Sequence, residues 1–239
     1  MPLTVSTIPG ANPTPQVVSP ATVVQRAQKG GSANATLAIA YTDPILNINQ
    51  TALSYRQRQG ATGPEFSFDT GALKLTLRQE VLVSNALSVC AQQKWIAHEQ
   101  GHVSDNQKLL SQMDGEIRSD PALRPIFISQ TWFLTTAFAA TQQKIHNTVA
   151  AIFGRLTAQA AALRDTRAEY ARVQRDILQN CPGPYIYEVN RGDTLSQIAD
   201  FFYGRASAWK AIYHANQGII GNNPDKILVG QQLTIPRTP

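Results

Sequence analysis

Apolar and polar residues alternate through much of the first half of the chain. Leu37, Ile39 and Tyr41 alternate with small or polar residues, which predicts a strand ending at Asp43-Pro44. After the loop signal Gln59-Gly60-Ala61-Thr62-Gly63-Pro64, Phe66 and Phe68 alternate. Asp69-Thr70-Gly71 then marks a turn, and Leu73, Leu75 and Leu77 alternate again. That pattern predicts a hairpin, with Val81 and Val83 extending its sheet. The period changes next. Ala86, Leu87, Ala91, Gln92, Gln93, Lys94 and Ala97 lie in a stretch free of Gly and Pro, and Val103, Leu109, Leu110 and Met113 continue an amphipathic pattern, so a helix is predicted. Asp120-Pro121 and Arg124-Pro125 break it. Beyond them Leu134, Phe138, Ile145, Val149, Ile152, Leu156, Ala160, Leu163, Tyr170 and Ile177 keep helical spacing, which predicts one or two long helices over 129–179. Such a length also suits a coiled-coil or assembly role. Near the end, Leu195, Ile198 and Ala199 form one short apolar helical face. Trp209, Ile212 and Tyr213 form another, and Leu233 and Ile235 alternate on a closing strand.

Chain breakers divide this pattern into three parts. Residues 1–35 carry Pro2, Pro9, Pro13, Pro15 and Pro20 and close on Gly30-Gly31-Ser32, which predicts an irregular N-terminal arm: a linker, or a strap ordered only on a partner. Residues 36–181 form the predicted sheet-and-helix domain. Cys181-Pro182-Gly183-Pro184 reads as a stiff joint, so that 182–239 hold the linker and a small second domain. A chain of 239 residues, 43% hydrophobic, has room for both and for a real core. The net charge of +5 comes from scattered basic residues with no Lys/Arg block, so no nucleic-acid partner is expected. Mild basicity suits an anionic cell-wall surface as well as it suits plain solubility. No apolar run is long enough to span a bilayer. Cys90 and Cys181, the two cysteines, are not at metal-motif spacing. They are expected as buried reduced thiols, with pairing open if the ends of their helices meet.

One stretch changes the picture. Trp95-Ile96-Ala97-His98-Glu99-Gln100-Gly101-His102 contains His-Glu-x-x-His. On a helix His98 and His102 stand one turn apart on one face, where two imidazoles can bind one Zn2+ ion, and Glu99 beside them is placed to take a proton from an attacking water. A peptidase site needs a third protein ligand. Asp105 shares the helical phase but lies a further turn on, so reaching the same ion would need a helix break. His146, Asp165, Glu169 and Asp176 lie on the long helical segment, and Glu169, beside Tyr170 on the edge of the apolar stripe, is the preferred candidate. With strands before it and long helices after it, the segment Trp95 to Leu110 resembles the His-Glu-x-x-His zincin peptidases. More distantly it resembles the uncharacterised bacterial predicted zinc proteases of the DUF922 type. That likeness implies a metallopeptidase whose edge strand holds a peptide substrate in extended form.

The last part carries a second resemblance. Tyr187-Glu188-Val189-Asn190-Arg191-Gly192-Asp193-Thr194-Leu195-Ser196-Gln197-Ile198-Ala199, Tyr203-Gly204, Trp209 to Tyr213, Ala215-Asn216, Asn223 to Ile227 and Gly230 to Pro236 together resemble a LysM domain. The resemblance implies a β-α-α-β fold. It also implies a groove for N-acetylglucosamine-containing glycans such as peptidoglycan, formed by Gly192, Asp193, Thr194 and Leu195 with Asn223, Pro224, Asp225, Lys226, Ile227 and Leu228. Asp193 reads equally as the cap of the first short helix. The predicted fold class is therefore α+β: a zincin-like region of small antiparallel sheet plus long helices, followed by a small β-α-α-β LysM domain.

Two functions follow. The first is a zinc metallopeptidase or peptidoglycan-linked hydrolase held at the wall by its LysM domain. The second follows from similarity to LysM modules of phage-tail and contractile-injection baseplates: a structural or effector subunit of such an assembly. Met1-Pro2-Leu3-Thr4-Val5-Ser6 shows no signal peptide. Synthesis in the cytoplasm is expected, with release to the cell wall or incorporation in a phage-like particle both open.

Overall fold

The computed structural model describes residues 4–30, 40–51, 53–69, 71–127 and 131–239. Leu37 and Ile39 of the first predicted strand, Thr70 of the predicted turn and Ser129 at the predicted start of the long helices lie outside them. The chain mixes helix and sheet and divides into two units, Met1–Ser84 with Glu99–Arg164, and Asn85–His98 with Asp165–Pro239.

The first unit is built on β6 (Ala72–Ser84), whose long apolar alternation buries Leu73, Leu75 and Leu77. On one side β6 pairs antiparallel with β3 (Ala40–Asn49), from Ala40↔Val83 to Asn49↔Lys74. On the other it pairs parallel with β1 (Thr4–Pro9) and β2 (Gln16–Val18), so the sheet is mixed, not antiparallel. The strand predicted to stop at Asp43-Pro44 runs through both residues. Pro44 faces Gln79 on an edge strand, where a missing N–H is tolerated.

Residues read as an irregular arm are ordered over 4–30. Pro9 ends β1, and Pro20 opens helix α1 (Pro20–Lys29) behind the Ser19 cap, so these prolines sit where the backbone accepts them. Arg26 of α1 bridges Asp43 of β3 and Glu80 of β6 at 2.6 and 2.5 Å.

The predicted hairpin is also corrected. β5 (Pro64–Phe68) pairs with β4 (Tyr55–Gln59) and β7 (Phe133–Leu134) in a separate sheet, while β6 belongs to the first. The short turn is the one at Gly60 to Gly63, closed by a 2.9 Å backbone bond. Phe66 and Phe68 still share a core with Leu73, Leu75 and Leu77, which explains why one alternating pattern spans two sheets.

Helix α2 (Val89–Ser119) carries the His-Glu-x-x-His motif, and within the first unit its Leu110, Met113 and Ile117 enter that core. After α3 (Arg124–Phe127) comes α4 (Phe138–Arg164), contributing Ile145, Val149, Ile152, Phe153 and Leu156. The long helical pattern is therefore two helices. α5 (Arg167–Asn180) begins anew where the Thr166 side chain accepts the Glu169 N–H.

In the second unit α5 lies along the first turns of α2. Cys90 and Cys181 form a disulfide with Cα atoms 5.5 Å apart, not the reduced pair expected, because the two helix ends meet. The rungs that follow are Lys94 to Asp176 at 2.9 Å, and Trp95 against Tyr170 with ring centroids 5.5 Å apart. The rest of the unit is β8 (Tyr185–Glu188), α6 (Leu195–Tyr203), α7 (Trp209–Ala215), α8 (Gln217–Ile220) and β9 (Gln232–Ile235). β8 and β9 pair antiparallel, Tyr185↔Ile235 to Glu188↔Gln232, which is the predicted β-α-α-β order with one extra helical turn. Its core of Val189, Leu195, Ile198, Ala199, Phe202, Ile212, Leu233 and Ile235 also takes in Leu178 of α5. The boundary drawn at residue 182 thus falls inside a packed unit.

Candidate functional site

A helix face packed inside a protein is ordinarily apolar, because a buried polar group costs free energy unless it is bonded. On α2 the residues His98, Glu99, His102 and Asn106 are nevertheless buried. Their partners explain how. Thr42 of β3 donates its hydroxyl to Glu99 Oε2 at 2.7 Å. Asn106 Nδ2 donates to Gln79 Oε1 at 2.9 Å, and Gln79 Nε2 donates to the Val103 carbonyl at 3.1 Å. His98 Nε2 lies 3.2 Å from Asp165 Oδ1, and its Nδ1 lies 3.7 Å from Glu169 Oε1. The His98 ring is flanked by Trp95 and Tyr170, with centroids 5.6 and 5.5 Å away.

The continuous helix sets His98 and His102 one turn apart, as the spacing predicted. Among the described residues, His98, His102 and Asp165 each offer a ligand atom, all within 4.8 Å of one another. Two imidazoles and one carboxylate are donor types that zinc accepts. Asp165 is thus the carboxylate grouped with both histidines. Glu169, preferred from the sequence, stands at the other nitrogen of His98 and is forked by Arg172 at 2.8 and 2.6 Å. The Arg172 hydrogen bonds hold the Glu169 carboxyl below its usual range, with further help from the Arg172 charge and from His98. Asp105 is engaged by Arg164 at 2.7 Å, on a helix that does not break there.

Asp165 was legible as one candidate among several. The signal that would have singled it out is Thr166-x-x-Glu169, the signature of a helix start, which takes Asp165 out of the long helix and into a junction. Thr42 carried no such signal, because only the pairing of β3 with β6 brings it to Glu99.

The predicted glycan residues occupy two loops of the second unit. Gly192 has φ +91°, the left-handed region that favours glycine. Asp193 does not cap the helix. Its Oδ2 accepts from the Tyr187 hydroxyl and the Asn190 N–H, each at 2.7 Å, and braces the turn from inside. Thr194 is the cap, in a reciprocal box with Gln197, and Leu195 is buried in the core. Burial and then the bonded Asp193 raise the Tyr187 phenol, and burial alone pushes Tyr203 up to about 12. In the other loop the Asn223 side chain accepts the Asp225 N–H at 3.0 Å, Lys226 N–H reaches the Asn223 carbonyl at 3.1 Å, and Leu228 is exposed. Pro224 and Ile227 are half-buried between them. Val189 and the Gly230-Gln231 segment exchange backbone bonds of 2.9 and 2.8 Å, tying the strand end before the first loop to the residues after the second. Local hydrogen bonds therefore fix the shape of each of the two loops.

Comparison with known proteins agrees with this part of the chain. Residues 187–236, which hold this β-α-α-β module, match the family model of the LysM domain. The chain thus carries a LysM domain, a module for peptidoglycan and related N-acetylglucosamine polymers. Among relatives, an uncharacterised protein of Deinococcus radiodurans is 44% identical over 54 residues, 23% of this chain and 20% of that protein. Potassium binding protein Kbp of Escherichia coli O6:H1 is 46% identical over 50 residues, 21% of this chain and 33% of Kbp. The matches span only about a fifth and a third of these two relatives. No solved structure matches the chain. Among the described residues no helix is long and apolar enough to cross a membrane.

Proposed function

We propose that the chain is a zinc-dependent hydrolase of the metallopeptidase type, acting on peptide bonds at peptidoglycan, to which its LysM domain binds. The observation that carries this reading is the buried turn of α2, where His98, Glu99 and His102 stand with Asp165 beside His98. Charged and ionisable groups are seldom buried together without a ligand or a task. In this reading His98, His102 and Asp165 hold zinc, which when bound polarises a carbonyl and makes water a better nucleophile. Glu99 accepts the proton of the attacking water, and Thr42 fixes the carboxylate rotamer through its 2.7 Å bond. The disulfide supports work in an oxidising compartment such as the cell wall. A second reading, a subunit of a phage-tail-like contractile assembly, is favoured by the exposed apolar side chains Ile186, Ile219, Leu228 and Val229, which suit a protein neighbour.

Pelleting with purified peptidoglycan separates the two. The full chain is expected to sediment with roughly micromolar to millimolar affinity, since a single small module engages few groups. Chitin oligosaccharides should compete, and added salt should act only modestly. Sedimentation abolished by salt and untouched by oligosaccharide would mean that only the positive charge binds, and would favour the assembly reading.

A further inference from the structure

We propose that Tyr187 is a positioning residue for glycan binding: its hydroxyl holds Asp193, Asp193 closes the turn from Asn190 to Asp193, and that turn sets the shape of the first glycan loop. Asp193 then acts on the glycan through the loop and not as a sugar contact. This rests on the peptidoglycan-binding reading above and deepens it, and every residue it uses lies within the LysM domain.

Tyr187 stands on β8, where pairing with Leu233 of β9 fixes its backbone. Its ring meets Phe202 edge-on, with centroids 5.6 Å apart. From that fixed ring the hydroxyl donates to Asp193 Oδ2 at 2.7 Å and accepts from Asn190 Nδ2 at 3.2 Å. The same Oδ2 accepts the Asn190 N–H at 2.7 Å, while the Asp193 N–H donates to the Asn190 carbonyl at 3.1 Å. Asn190 and Asp193 therefore close the turn from both sides, once through backbone alone and once through the carboxylate. Gly192 between them is free to adopt many conformations, so its φ of +91° needs bonds on either side to hold it. The residue before the turn, Val189, is bonded to Gly230 and Gln231 beyond the second loop, and the residue after it, Thr194, caps α6. Between those two anchors the shape of the loop rests on the side chains of Tyr187, Asn190 and Asp193. Burial, and then Asp193, hold the phenol above its ordinary range, so it stays a donor at neutral pH. When only a fraction of the chains holds the binding shape, apparent affinity falls by that fraction, so a residue that fixes the loop acts on binding without touching the sugar.

The test titrates the full chain with a tetrasaccharide of N-acetylglucosamine, followed by NMR shifts. Circular dichroism checks the fold, and hydrogen exchange of the Asn190 amide checks the turn. Tyr187→Phe is expected to weaken binding roughly three- to tenfold, the effect of one hydrogen bond, and Asp193→Ala by about tenfold or more. In both, the Asn190 amide should exchange faster while the fold is retained. Asp193→Asn should restore binding to within about threefold of wild type, because both short bonds go to one oxygen and an amide oxygen can accept them without the charge. The double variant Tyr187→Phe with Asp193→Ala should bind no more weakly than Asp193→Ala, because the phenol then has no carboxylate to hold. Folded Tyr187→Phe with wild-type or tighter binding, the result that a direct contact of Asp193 with the sugar would give, would overturn the positioning role and leave glycan binding standing. Asp193→Asn as weak as Asp193→Ala would overturn it as well. A wild-type chain that does not bind the tetrasaccharide would overturn both.

Discussion

Glu99→Gln is expected to leave the fold and zinc uptake unchanged while lowering peptide hydrolysis by roughly 10²–10⁴-fold. The substitution is nearly isosteric. Its amide oxygen can still accept the Thr42 hydroxyl that lies 2.7 Å from Oε2, so the buried contact between β3 and α2 survives. What disappears is a group that can take up a proton. Glu99 is not among the three side chains grouped as metal ligands, so metal content is unaffected. Initial rates on fluorogenic peptides and on peptidoglycan stem peptides, at matched zinc content, read the effect. Equal rates for variant and wild type would place the chemistry elsewhere or remove it.

Replacing Cys90 and Cys181 by serine is expected to cost roughly 4–5 kcal/mol of stability, the chain-entropy value for a loop of about this length. The bond joins residues 91 apart in sequence. It closes the second unit by tying the first turn of α2 to the end of α5, and Lys94–Asp176 and Trp95–Tyr170 follow along the same helix pair. Removing it frees the unfolded chain while those contacts remain in the folded one. Denaturant midpoints of the double variant, and of the wild type with and without reductant, measure the loss. Stability unchanged in all three would show that the pair contributes nothing.

Much of the second unit was legible because its signals are local. Leu195, Ile198 and Ala199 on one helical face and Leu233 and Ile235 on one strand specify elements that pack on near neighbours in sequence. The motif turn was legible for the same reason, since helical spacing alone brings His98 to His102. What the sequence hid is non-local. Pairing of β1 with β6 joins Thr4 to Ala72, and no property of residues 4–9 announces that partner. Alternation at Phe66 and Leu73 told which faces are buried but not which sheet each strand joins. Which carboxylate lies with the two histidines turned on one helix break, and the disulfide turned on how two helix ends meet.

The measurement that tests the central claim most directly is the zinc content of the purified full chain by elemental analysis after mild dialysis, with His98→Ala alongside. The expected result is about one zinc per wild-type chain and almost none in the variant, as two buried histidines one turn apart and a half-buried carboxylate would give if they hold the metal. A wild type that holds no zinc and gains no thermal stability when zinc is added, or a His98→Ala variant that retains the metal in full, would contradict the account.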